Sequence, residues 1–449
     1  MAIAGKSNGE RRDLSRHVVV SERIEKLRGP LQLLARRREA RRLDAVAASH
    51  PPIWTGEVDM SACEHGLAAP QRAGPAYRRA RLLVRAGGEP RGFVTLDLDS
   101  RGRIGAQDLK RAVDRQLLRG TRESPADGVA LSDAITPDLS VIVCTRDRAD
   151  SLRVALRSLL ACDYPRMEVV VVDNAPLSDA TSRVIDEIGD PRVRRVVEPL
   201  PGLSRARNRG VVEATGEVLA FTDDDVIVDP LWVRALVRGL GRQETVGCVT
   251  GFVTAAELET PAQQYFERKV SWSDDFVPRL FDLDEHRVDV PLYPYVAGTF
   301  GAGANFAVIR EALAAVGAFD EALGAGSPAK GGEDIDYFLR LVLAGYAIAY
   351  EPAAIVWHVH RRDLPALREQ LDGYGSGLSA FLFKHLLQPR TARDILRRGI
   401  PGLKRMYDLR QRGRYEGADH LRLWRSELSG FASGPARYLR GRRALAKGR

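Results

Sequence analysis

Long apolar runs are what this 449-residue chain most plainly lacks: no stretch reaches the roughly 18 to 20 residues that a membrane-spanning helix needs. Its opening, MAIAGKSNGERRDLSR, has no apolar core of the kind that marks a signal peptide. The expectation is a cytoplasmic protein. Cysteine is scarce too. Cys63, Cys144, Cys162 and Cys248 lie far apart and form no Cys-x-x-Cys pair, which argues against disulfides and against a thiolate zinc site.

What is present is ordinary for a soluble globular protein, with 44% apolar and 28% charged residues, and the length suggests two or three domains. The net charge of +9 is uneven. Residues 361–449 hold 21 Lys and Arg against 8 Asp and Glu, a surplus of 13, which leaves −4 for residues 1–360. A basic tail of this kind suits either anionic surfaces or a solvated helical face.

Composition shifts divide the chain. Residues 1–50 read as a basic helical segment, and residues 51–120 as a small α+β domain in which two β-prone runs flank a Gly-Gly-Glu-Pro turn before the helical AQDLKRAVDRQLL. A polar linker, 121–137, follows. From Leu139 strands and helices alternate: LSVIVCT, DSLRVALRSLL, MEVVVVDN, SDATSRVIDEIG, VRRVVEP, LSRARNRGVVEA and GEVLAFTDDD. That alternation predicts a parallel sheet covered by helices on both faces, with ligands bound beyond the carboxyl ends of the strands. Those ends carry Thr145 and Arg146, Asp173 and Asn174, Glu198, and Asp223 to Asp225. Residues 364–449 read as a basic helical region.

Carboxylates spaced as Asp-x-Asp at a strand end come within reach of one divalent cation, and Mg²⁺ or Mn²⁺ prefers such hard oxygen ligands together with phosphate oxygens. An acidic turn without metal is the plainer alternative. Asp173 is placed either to accept from a base or sugar or to cap the next helix. Arg205, Arg207 and Arg209 enter a helix where cations face phosphate, but alternate positions on a helix diverge, so at most one or two reach a ligand. Glu333 and Asp334 follow Gly331-Gly332 into a helix with apolar positions Ile335, Phe338, Leu339, Val342 and Leu343. A helix N-terminus favours the ionised carboxylate, as a general base requires. His358 and His360, two apart on a strand-like run, face one side.

These segments resemble the family-2 glycosyltransferases, inverting enzymes of the GT-A fold. LSVIVCTRDRADSLRVALRSLL, VVVVDNAP, GLSRARNRGVVEATGEVLAFTDDDV, GAGANFAVIREALAAVGAFDEALG, GGEDIDYFLRL and PAAIVWHVHR occur in the family's order over about residues 137–363. The resemblance implies a Rossmann-like catalytic domain over 138–363, with 138–230 as the nucleotide half and 231–363 as the acceptor half. It assigns nucleotide-sugar contacts to Thr145, Arg146, Arg148, Asp173, Asn174, Arg207, Asp223, Asp224, Gly303 and Asn305. Asp225, Asp223 and His358 are the implied ligands of Mg²⁺ or Mn²⁺, and Asp334, with Glu333 beside it, is the implied catalytic base.

The implied reaction moves one sugar from a UDP-, dTDP- or GDP-linked donor to a hydroxyl acceptor, lipid-linked or glycan, in cell-envelope glycan, glycolipid or metabolite glycosylation. Three rival readings fit less well. A sugar-nucleotide nucleotidyltransferase calls for a glycine-rich loop where this chain reads CTRDRAD, and a dinucleotide oxidoreductase calls for Gly-x-Gly-x-x-Gly at the same place. A non-catalytic nucleotide-sugar-binding protein has no need of both acidic pairs and the histidine. The Gln-x-x-Arg-Trp signature of processive synthases is missing, which favours single transfers. No nucleic-acid partner is expected. The tail, through LSAFLFKHLL and IPGLKRMYDL, is expected to meet the inner face of an anionic membrane.

Overall fold

The computed structural model describes residues 50–72, 74–117, 136–270, 272, 274–296, 298–399 and 418–447. The basic N-terminal segment, nearly all of the linker and the IPGLKRMYDL stretch lie outside the described residues. The chain divides into two compact units: Met1–Ser124 with Ala256–Pro261, and Pro125–Ala255 with Ala262–Arg449.

The smaller unit holds β1 (Ile53–Asp59), β2 (Leu67–Ala68), β3 (Arg79–Ala86), β4 (Glu89–Asp97), β5 (Arg103–Ile104) and helix α1 (Ala106–Gln116). Strands β3 and β4 form the antiparallel hairpin read from the Gly-Gly turn, and β1 runs parallel to β3. Alternation along the strands turns Trp54, Leu82, Val84 and Val94 to one side. There they meet Leu109, Ala112 and Val113 of α1. Residues 256–261, which the sequence assigned to the acceptor half, belong to this unit: Leu258 bridges Ile53, and Tyr77 Oη donates to Glu259 at 2.9 Å.

The larger unit continues with β6 (Leu139–Thr145), α2 (Ala149–Leu160), β7 (Met167–Asn174), α3 (Ala180–Ile188), β8 (Val193–Glu198), α4 (Leu203–Glu213) and β9 (Val218–Asp223). After these come β10 (Val226–Val228), α5 (Trp232–Leu240), β11 (Val246–Ala255), α6 (Pro261–Val270), β12 (Arg279–Phe281), β13 (Asn305–Ile309) and α7 (Arg310–Val316). The last elements are α8 (Glu333–Leu343), β14 (Ala347–His358), α9 (Leu364–Leu386) and α10 (Ala418–Ala446). The sheet is ordered β10-β14-β11-β13-β9-β6-β7-β8, with β12 also on β14. Strands β6 to β9, β11 and β14 run one way, and β10, β12 and β13 run against them. The sheet is therefore the mostly parallel α/β arrangement expected.

Its two faces follow from side-chain alternation. Val141, Val143, Val169 and Val171 point to the side packed by α2 and α5, while Ile142, Val170, Val172 and Phe221 point to the side packed by α4 and α8. Helix α8 is buried more widely than its spacing implied. Tyr337 and Leu341 join the sheet-side core, Leu339 packs with Phe381 of α9, and Leu343 is left exposed. Among the described residues, no helix is long and apolar enough to cross a membrane.

Candidate active site: two acidic clusters on one cavity

Strand register brings the first cluster together. Asp223 ends β9, which lies beside β6 so that Cys144 is paired with Asp223. Three residues on, β10 begins, and its Val226 is paired with His358 at the end of β14. The backbone N–H of Val359 donates to the Asp225 carbonyl at 2.9 Å, so this pairing brings Asp225 beside a histidine more than a hundred residues away. His358 Nε2 lies 3.2 Å from Asp225 Oδ1, and Arg361 donates to Asp225 Oδ2 at 3.3 Å. Arg148, just ahead of α2, donates to both Asp224 and Asp225 at 3.0 Å, and Thr145 Oγ1 donates to Asp224 at 2.7 Å.

Neighbouring charge sorts the three aspartates. Burial alone would raise all of them, but His358, Arg148 and Arg361 hold the Asp225 carboxyl well below the ordinary range. Asp224 is pushed up to about 6 by burial and by Asp225. Asp223, with about a third of its side chain open to the cavity, is also raised by desolvation and by Asp225. His358 is shifted up, because Asp225 and Asp223 favour its imidazolium over the opposing cost of burial. One cation would relieve this crowding. Oxygens of Asp223 and Asp225 and a ring nitrogen of His358 all lie within 4.8 Å of one another, a set of hard oxygens plus imidazole that fits Mg²⁺ or Mn²⁺.

The second cluster sits at the start of α8. Gly332 caps the helix with φ of 91°, and a Cβ there would stand 2.5 Å from the carbonyl oxygen of Gly377 in α9, so the turn needs glycine on two counts. Glu333 then points inward. Arg207 donates to it at 3.0 Å, and with 3% of its surface exposed that arginine also donates to the Gly303 carbonyl at 3.0 Å. Burial and the neighbouring Asp334 still push Glu333 up to about 7, against the pull of Arg207. Asp334 faces the cavity and accepts the Gly303 N–H at 3.0 Å. Any side chain at position 303 would collide with the Asp334 carboxylate, whose Oδ2 lies 2.8 Å from where a Cβ would be.

Both clusters line one cavity of about 1210 Å³, larger than the roughly 300 to 1,000 Å³ of a typical ligand pocket. Thr145, Arg146, Arg148, Asn174, Arg207, Asp223, Asp224, Asp225, Gly303, Glu333, Asp334 and His358 all border it. Two expected residues do not. Asp173 is fully buried, bound by Arg195 at 2.7 and 2.9 Å and by Thr181 at 3.1 Å. Asn305 is also fully buried: it donates to the carbonyls of Phe252 and Ala354 and accepts from Trp232 Nε1, tying β13 to its surroundings. Of the three arginines entering α4, only Arg207 reaches the cavity; Arg205 pairs with Glu321 and Arg209 with Glu213.

The sequence reading missed the far wall. Trp272, Lys330, Glu369, Gln370, Tyr374 and Glu427 border the same cavity, the last four from α9 and α10. Arg361 was missed as well, although it stands three residues beyond His358 in the quoted WHVHR stretch.

The mostly parallel sheet thus gathers an acidic cluster at its strand ends, across one cavity from the carboxylates at the start of α8. Residues 140–310 match the family described as Glycosyl transferase family 2. Among curated relatives, a pre-mycofactocin glycosyltransferase of Mycobacterium tuberculosis is 27% identical over 321 residues, 69% of this chain and 62% of its own length. A probable glycosyltransferase, YdaM, of Bacillus subtilis is 26% identical over 272 residues, 56% of this chain and 58% of its own. The chain thus spans about three-fifths of the length of these relatives. Among solved structures, a mannosyltransferase from Pyrobaculum calidifontis in complex with GDP-Man and Mn²⁺ aligns at TM-score 0.45 and 21% identity, over 70% of this chain and 80% of that one.

Proposed function

We propose that the protein is an inverting glycosyltransferase that moves one sugar from a nucleoside-diphosphate donor to an acceptor hydroxyl. The observation that carries this reading is that Asp334 and the Asp223, Asp225 and His358 cluster border one cavity. Asp223, Asp225 and His358 would hold Mg²⁺ or Mn²⁺, which when bound supplies positive charge to the leaving diphosphate. Arg146, Arg148 and Asn174 line the donor end, and the two arginines add charge that complements phosphate.

At the other end Asp334 accepts the proton of the attacking hydroxyl while the acceptor oxygen forms its bond to the anomeric carbon from the face opposite the diphosphate. The C1 configuration inverts. Glu333, tied to Arg207, positions its neighbour and is not itself the base. The acceptor enters against α9 and α10, where Tyr374 of α9 and Trp272, just beyond α6, offer aromatic surface suited to a sugar or similar polyhydroxyl group.

A thermal-shift screen of UDP-, dTDP- and GDP-sugars, each with and without Mn²⁺, tests the donor and the metal together, since a ligand bound only by the native state raises its stability. We expect one donor class to stabilise the protein only with Mn²⁺, and Asp225→Ala to weaken that binding by about tenfold or more, ~1.4 kcal/mol. Equal stabilisation without metal would remove the cation from the reaction.

A membrane-bound acceptor remains part of this reading, met through the basic C-terminal region. In LSAFLFKHLL, Ala380 and Phe381 are buried in the helix packing, and only Leu386 and Leu387 at its end are exposed. Leu421, Trp424 and Leu428 on α10 are instead exposed at helical spacing, beside exposed Arg422 and Arg425. Co-sedimentation with anionic vesicles should fall for Trp424→Ala combined with Arg425→Glu; unchanged binding would assign the acceptor to solution.

A further inference from the structure

Behind the metal-type cluster lies a buried chain of side chains that the proposed reaction does not use. His358 Nδ1 is 3.2 Å from Nδ1 of His360, and His360 Nε2 is 2.9 Å from Oε2 of Glu267 on α6. His360 is 1% exposed and Glu267 9%, and neither borders the cavity. The His360 ring is held edge-on by Phe266 at 4.7 Å, and its backbone carbonyl accepts from Gln263 at 3.3 Å. Trp272 stands edge-on to His358 on the other side, at 6.3 Å. The rings are fixed on several sides, so the protons between them have few arrangements.

An ionised carboxylate only accepts, so His360 must donate from Nε2 to Glu267. A neutral ring protonated at Nε2 has a lone pair at Nδ1. The facing Nδ1 of His358 must then carry a proton and donate it. The remaining nitrogen of His358, Nε2, is the one aimed at Asp225. The reverse arrangement would need His360, 1% exposed, to carry protons on both nitrogens as a buried charged ring, and would leave the proton of His358 on Nε2, with no lone pair there for a cation.

We propose that Glu267 and His360 form a positioning relay that presets His358, keeping its proton on Nδ1 and presenting Nε2 as the nitrogen that binds a divalent cation alongside Asp223 and Asp225. Outer partners of this kind orient a ligand ring and raise its basicity, and their loss typically costs about 10- to 100-fold in metal affinity. The relay rests on the metal reading above but concerns residues outside the cavity. Neither of its outer members touches donor or acceptor.

The test is titration of the full chain with Mn²⁺ alone, followed by electron paramagnetic resonance of the free ion. Glu267→Gln offers His360 an amide that can donate as well as accept, and should weaken Mn²⁺ binding by about 10- to 100-fold with unfolding of the metal-free protein unchanged. His360→Asn keeps an acceptor oxygen towards His358 Nδ1 and should retain most of the affinity. With saturating Mg²⁺ and ¹⁵N-labelled histidine, His358 Nδ1 should be protonated in the wild type and lose that fixed state in Glu267→Gln, a change that loss of packing alone would not produce. Wild-type affinity in Glu267→Gln overturns the relay and leaves the metal site standing. Failure of the wild-type chain to bind Mn²⁺ overturns the metal site and the relay with it.

Discussion

Two buried carboxylates, one from each acidic cluster of the cavity, end in opposite states. At the strand ends Asp225 has His358, Arg148 and Arg361 around it and is held ionised far into acid. At the start of α8 Glu333 has one arginine and a deep burial, and burial prevails, leaving its carboxyl near 7. The difference shows that neither the acidic residue nor the helix N-terminus decides protonation. The number of cations within reach, set against the water removed, decides it. It also separates the second pair: both border the cavity, but Glu333 is buried and held by Arg207, whereas Asp334 is the more open carboxylate.

The sharpest way to break this contrast is Asp334→Asn. We expect transfer to fall by about 10²- to 10⁴-fold, the usual contribution of a general base, while calorimetry of nucleoside-diphosphate binding stays as in the wild type. Retained transfer would move the base elsewhere. Gly332→Ala comes next. It places a side chain in a left-handed backbone conformation against the Gly377 carbonyl, and we expect a loss of about 1 to 3 kcal/mol in denaturant unfolding. Transfer should fall with it, and donor binding less, because the donor end lies on the strands.

The smallest effect sharpens the comparison through pH. Glu333 has a folded pKa raised above its ordinary value, so the native state holds that proton more tightly. Its contribution to stability is full below the ordinary carboxylate range and is lost as pH rises through about 7. Melting curves of Glu333→Gln and the wild type should therefore differ in slope between pH 5 and 8, with the wild type losing ground as pH rises. Asp225 works in the opposite sense and loses its contribution only in strong acid. Parallel curves would mean that Arg207 outweighs burial at Glu333.

Much of this was legible in the sequence for physical reasons. Buried parallel strands are near-continuous apolar runs, so β6, β7 and β9 stand out, and their ends mark the ligand crevice before any contact is known. Asp225 and Asp334 are identifiable because a strand end and a helix start put carboxylates where charge is useful. Asp173 and Asn305 look the same in sequence as residues that face a ligand, yet each is consumed by buried partners, Arg195 and Thr181 for one, Trp232 and two carbonyls for the other. The far wall left no local signal. The apolar stripe of α9 announces that one side is buried, but not that Glu369, Gln370 and Tyr374 on it border a cavity whose base was named from another helix.

The contact between Gly332 and Gly377 also makes the two clusters depend on different parts of the fold. The Asp223, Asp225 and His358 cluster rests on strand ends, with Arg361 just beyond β14. The turn carrying Asp334 is seated against α9, and α9 packs in turn on α10, where Gly430 lies against the Asp372 backbone. A cut within α10 is therefore expected to loosen the turn that carries Asp334 and to leave the strand-end cluster in place, so that the proposed base and the proposed metal site can be lost one without the other.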